Sequence, residues 1–168
     1  MQIAQAPRPH ASLRQAIEKG ANRMTDLSLA AARIIVDTAL SHARGASLKP
    51  LAVAVLDTRG ALKAFAAEDG TSLKRAEVAQ GKASGALALG IGSRSICKRA
   101  KEQDYFIAAV SHVVGGALIP VPGGVLIRDK AGVLLGAVGI SGDTSDNDEA
   151  AALAGIQAAG LVGDPGVD

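Results

Sequence analysis

Two stretches of this chain repeat one pattern, an apolar run, a short turn and a second apolar run. "LAVAVLD" and "ALKAFAAE" flank "TRG", and "GGVLIRD" and "VLLGAVGIS" flank "KAG". Strands joined by so short a turn pair antiparallel, because a parallel partner needs a crossover of a dozen residues or more. Helical spacing fills the intervals between the hairpins. Leu27, Ala31, Ile34 and Thr38 mark a helix that Thr25 or Asp26 is placed to cap and Gly45 to stop. The spacing predicts a second helix over about 73–89, a short one over 93–103, and a last one in "TSDNDEAAALAGIQAAG". Residues 104–118 show no decisive pattern. The order helix, hairpin, helices, hairpin, helix is that of an α+β fold, an antiparallel β-sheet flanked by α-helices, and not of a doubly wound parallel sheet. "GAVGISG" carries too many glycines for an ordinary central strand, so a close backbone or helix approach is expected there.

The 168 residues make one domain's worth of chain, and no break in composition divides them. Residues 1–24, with Pro7, Pro9, His10 and several charges, read as an N-terminal arm with a short helix near 12–19; residues 25–168 read as the domain. Hydrophobic residues form 48% of the chain and aromatic ones 2%, so Ala, Val, Leu, Ile and Gly must fill the core. A net charge of +2, spread over several segments, lacks the basic stripe that nucleic acid binding requires. No run reaches the roughly eighteen apolar residues of a membrane span, and the first residues lack a signal-peptide core. A single cysteine, Cys97, cannot form an internal disulfide. Together these predict a soluble, cytoplasmic protein with neither nucleic acid nor membrane as partner.

In "IPVPGGVLIRD", Pro120 and Pro122 stiffen the chain where Gly123 and Gly124 loosen it. This is either the turn that opens a hairpin or a rigid loop whose backbone N–H groups hold an anionic or carbonyl-bearing ligand. Lys82 is the second candidate. Its helical face holds Arg75, Val78, Ala79, Gly85, Ala86 and Leu89, so one ammonium stands in a mostly small, apolar stripe. Either its stem lies on the sheet with the head in water, or it lines a pocket as an anion-binding or acid/base group.

His112 is the best placed of three histidines for a site, with Tyr105 and Phe106 in the same region. The histidines have no metal-ligand spacing, and no metal site is expected. The carboxylates of "SGDTSDNDEA" lack the pattern of a calcium loop and read as helix caps, Ser145 answered by Asp148 or Asp146 by Glu149. Cys97 has basic neighbours but no histidine paired with it in sequence, and "GIGS" at 90–93 lacks a dinucleotide fingerprint's third glycine.

Taken together, "LAVAVLDTRGALKAFAAEDG", "AEVAQGKASGALALG" and "PVPGGVLIRDKAGVLLGAVGISGDTSDNDEAAALAG" resemble the GlcG/HbpS family over about 27–162. Members of that family include haem-binding proteins and the C-terminal module of a corrinoid adenosyltransferase. The resemblance implies a profilin-like fold and a homo-oligomer, a hexamer or octamer. Haem is a possible cofactor on that ground, with no axial ligand carried over. It points to a pocket built by Lys82, Pro122, Gly123 and Gly124, near the turn from Ser141 to Glu149. With no Trp, two Phe and one Tyr to pack a porphyrin, the ligand stays open among haem, another tetrapyrrole and a small organic anion. The function so implied is small-ligand binding; Tyr105, Phe106 and His112, singled out from the residues and not from the resemblance, are further candidate contacts. The other class of function is a cofactor-independent lyase, isomerase or hydrolase acting on a small polar substrate, with Lys82 or His112 as acid/base.

Overall fold

The computed structural model describes residues 26–168. The arm, its short helix, His10 and Thr25 lie outside the described residues. Helix α1 spans Leu29–Gly45 and is capped by Ser28, whose Oγ accepts from the Ala31 N–H. Asp26 does not serve as its cap, because its carboxylate accepts the neighbouring Leu27 N–H instead. Strands β1 (Ala52–Asp57) and β2 (Leu62–Ala67) form the first hairpin, and β3 (Gly124–Arg128) and β4 (Leu134–Ser141) the second. The two turns share one chemistry. Asp57 accepts the N–H groups of Arg59 and Ala61, Asp129 accepts those of Ala131 and Val133, and a left-handed Gly60 or Gly132 closes each turn.

Helices α2 (Arg75–Leu89), α3 (Ser93–Glu102) and α4 (Asp104–Val113) lie between the hairpins, and α5 spans Ser145–Ala158. The segment without a decisive pattern is thus mostly helix. Gln103, at φ −142°, breaks the chain between α3 and α4, and Phe106, Ile107 and Val110 then pack with Ile96 and Leu118. A three-residue strand β5 (Val162–Asp164) also appears, too short to announce itself in sequence. The sheet order is β2-β1-β4-β3-β5 with every pairing antiparallel, as the paired strands predicted.

The two faces of the sheet are unlike. Val53, Val55, Val125, Ile127, Val138 and Ile140 face α1 and α5, meeting Ile35, Ala39, Ala151 and Ile156 in the larger core. The opposite face presents Ala52, Ala54, Leu56, Leu126 and Ala137 to Ala79, Ala83 and Ala86 of α2. Its residues are small because α2 lies almost directly on the strands. A methyl group on Gly139 would overlap the carbonyl oxygen of Ala79, and one on Gly124 that of Lys82. This is the close helix approach that the glycines of β4 predicted. No described helix is long and apolar enough to cross a membrane.

Candidate functional site

Lys82 projects from the middle of α2 toward the start of β3 and is 2% exposed. Its Nζ donates to Asp148 Oδ2 at 2.8 Å, past the end of the sheet. The other oxygen of that carboxylate accepts the Asp143 N–H at 3.1 Å. Burial pushes the Lys82 ammonium below its ordinary pKa and the Asp148 carboxyl above its own, and the charge of each partner opposes the shift of the other. The stem does not carry the head to water.

The Pro-Gly-Gly segment is adjacent to this pair. Pro122, Gly123 and Gly124 are all buried. Gly123, at φ +112°, leaves room for the ammonium, since a Cβ there would stand 2.9 Å from Lys82 Nζ and 3.0 Å from Asp148 Cβ. Gly124 N–H donates to Ser93 Oγ at 2.7 Å, and Gly123 C=O accepts from Ile140 N–H. Lys82 and the loop therefore meet directly, and Asp148 packs against both and takes the ammonium's hydrogen bond. The Gly124 amide that was to hold a ligand is spent on Ser93.

The acidic turn corrects the expected caps. Thr144 caps α5, accepting the Asn147 N–H. Asp148 faces inward to Lys82. Glu149, 9% exposed at its side chain, accepts Arg94 Nε and Nη2 at 3.0 to 3.2 Å. Arg94 also pairs with the exposed Asp146 and Asp168, and Glu149 first, then these two carboxylates, raise its already high pKa further. Sequence reasoning missed Asp148, although it sits in the stripe Asp148, Ala152, Gly155 and Ile156, the same pattern that singled out Lys82. Two opposite charges on two apolar stripes were a pair to be matched.

The remaining candidates lie on α4. Tyr105 is 74% exposed, His112 is exposed, and Phe106 lies under the Arg99 guanidinium, 4.9 Å from it. None of them hydrogen-bonds Lys82, and α4 packs on α3 and Leu118 instead.

Open space lies on the outer side of α2. A cavity of about 400 Å³ runs between Lys74, Val78, Gly81 and Ser84 on the helix and Gly115, Ala117 and Ile119 on the connection to β3. A second space of about 300 Å³, bounded by Arg59, Leu87, Ala88 and Val114, adjoins it through Ser84 and Ala117. At a helical rise of 1.5 Å per residue, Lys74 to Ala88 makes a groove about 20 Å long. Its middle is small and mostly apolar, with Gln80 and Ser84 as polar exceptions, and a cation stands at each end, Lys74 paired with Glu77 and Arg59 with Asp57. Lys82, on the inner side of the same helix, does not line it.

A family model described as "Haem degrading protein HbpS-like" matches residues 27–157, and the chain belongs to that family. The structure is similar to that of a PduOC–heme complex, with a TM-score of 0.73 and 22% identity over 82% of this chain and 97% of that one. It is also similar to HbpS, with a TM-score of 0.70 and 23% identity over 81% and 92% of the two chains. Protein ORFY of Klebsiella pneumoniae gives a TM-score of 0.71 and 21% identity over 80% and 90%. At these identities the likeness is one of fold. No curated protein matches the chain.

Proposed function

We propose that this chain is a small-ligand-binding protein and that its ligand, haem, another tetrapyrrole or a small organic anion, lies in the groove along the outer side of α2. The observation that carries the reading is the groove itself. Its larger part, about 400 Å³, falls in the range of small-molecule sites, and its mostly apolar middle with charged ends suits a flat or elongated amphipathic molecule. Membership in the family and a fold shared with a protein solved as a heme complex support it. In this reading the Lys82–Asp148 pair and the Pro122–Gly124 segment form the rigid wall behind the helix.

Haem iron takes axial ligands from His, Cys, Met or Tyr. None of these lines the groove, so its residues suit the ring and carboxylates of a tetrapyrrole and do not fit an iron-ligated haem. His112, exposed near the end of α4, is outside it. The chain is further read as a homo-oligomer, which the exposed Tyr105, Val113, Leu62 and Phe65 support. Light scattering of the purified protein measures that state.

Titration with hemin and with metal-free protoporphyrin tests the ligand. We expect saturable binding of both with similar affinity, lost in Ser84→Phe, which fills the groove from an outward position and whose folding a thermal melt checks. Binding of hemin alone through an axial ligand, or binding unaffected by Ser84→Phe, removes the groove as the site. Catalysis by Lys82 is disfavoured because the ammonium is sealed in an ion pair with no face open to a substrate.

A further inference from the structure

A separate cleft of about 190 Å³, sharing no residue with the groove, opens beside the first turn of α2. Lys49, Thr71, Ser72 and Arg75 line it together with Gly70 and Gly142, and no carboxylate does. We propose that this cleft is an oxoanion site, taking a phosphate or carboxylate group between the Arg75 guanidinium and the hydroxyls of Thr71 and Ser72.

The balance of charge behind the cleft carries the inference. Arg75 is half-buried, and its one side-chain hydrogen bond goes from Nη1 to the buried Ser141 Oγ at 3.1 Å. Among the described residues it has no carboxylate within ion-pair distance. Its charge nevertheless reaches both members of the Lys82–Asp148 pair. Two cations, Arg75 and Lys82, therefore share one carboxylate, because Glu149 is held by Arg94. One positive charge is left over, and it borders the cleft. The nearby Asp143 is ionised, its oxygens fixed in the turn by the backbone of Lys49 and Thr144 and by the Asn147 amide. Its charge acts on the Lys49 ammonium, a further cation lining the cleft, so the excess of one positive charge stands.

The hydroxyls of Thr71 and Ser72 and the Lys49 ammonium make no hydrogen bond among the described residues. Free donors of this kind, grouped around a guanidinium with four unused N–H bonds, complement an oxoanion, which accepts from a planar fork in two places. The cleft is too small for a drug-sized molecule and large enough for one anionic group, whose remainder would extend into solvent.

Inorganic phosphate and malonate are the probes, titrated separately at constant ionic strength while the backbone amide resonances are followed by NMR. Saturable shifts at Gly70, Thr71, Ser72 and Gly142 are expected. Arg75→Gln should weaken binding by about tenfold or more, Arg75→Lys by less, and Lys130→Gln, on the remote β3–β4 turn, not at all. Saturation by phosphate alone assigns a phosphate-bearing ligand, by malonate alone a carboxylate, and by both a general oxoanion cleft. Shifts that never saturate, or equal affinity in Arg75→Gln, overturn the proposal. Should Arg75→Gln fail to fold, Thr71→Val with Ser72→Ala is read in its place, and undiminished binding in that variant overturns it equally.

Discussion

Lys82 and Asp148 are each unremarkable as residue types, and their effect comes from where they meet. With side-chain exposures of 3% and 1%, neither charge is screened by water, so removing one partner leaves the other stranded. Lys82→Met is expected to cost about 3–5 kcal/mol in chemical denaturation, and Lys82→Met with Asp148→Leu to recover most of it. The pH dependence follows from the direction of the Asp148 shift. Its folded pKa is raised, first by burial, and without Lys82 nothing of that size opposes the rise. A raised carboxyl stabilises the fold below its unfolded pKa and loses that contribution as pH climbs through the folded value. The deficit of Lys82→Met relative to the native chain should therefore shrink on acidification; a deficit independent of pH would count against a stranded carboxylate. Lys82 was legible in sequence as a charge out of place. Asp148 was not, because helix-capping chemistry explains acidic residues in a first turn without invoking the interior.

Elements were legible where the chain alternates or repeats and obscure where packing decides. Both hairpins could be read from paired apolar runs around a short turn containing glycine. The helix over Asp104–Val113 and the strand over Val162–Asp164 could not, since each depends on a surface supplied by another element. Glycine in β4 signalled contact without naming the partner. With the carbonyl of Ala79 seated on Gly139, Gly139→Ala must push α2 off the sheet, and we expect a loss of about 3 kcal/mol or more. Gly60→Ala, in an open turn at φ +78°, should cost only about 1 kcal/mol. Equal losses in urea unfolding would mean that the helix is not seated as described. Asp143 joins the loop before β1 to the start of α5, and its three hydrogen bonds hold its pKa down to about 2 from 3.8. A lowered carboxylate adds stability above its unfolded pKa and loses it as pH falls through the folded one. Thermal melts between these values should show a fall in stability that is smaller in Asp143→Ala, the remainder coming from other lowered carboxylates such as Asp57 and Glu77.

At the scale of the molecule, the two helical layers on opposite faces of the sheet are tied past its end by two adjacent ion pairs, Lys82–Asp148 and Arg94–Glu149. Buried and exposed members of this set should differ. Glu149→Gln is expected to cost about 1–3 kcal/mol, whereas Asp146→Asn, at 79% side-chain exposure, should change stability by less than about 0.5 kcal/mol. Denaturation of the two variants side by side checks the contrast. The antiparallel α+β architecture was readable from the order of elements alone. The position of the open space was not, because the sequence shows that α2 has two chemically different sides but not which one is covered.

Those two sides of α2 answer to opposite constraints. Inward positions such as Ala79, Lys82, Ala83 and Ala86 are pinned by strand backbone and one ion pair, so almost any replacement there is paid for in folding. Outward positions such as Lys74, Glu77, Ser84 and Ala88 touch the groove and little else. A library confined to those four codons should therefore yield folded proteins with altered ligand preference, letting recognition drift while the scaffold stands still.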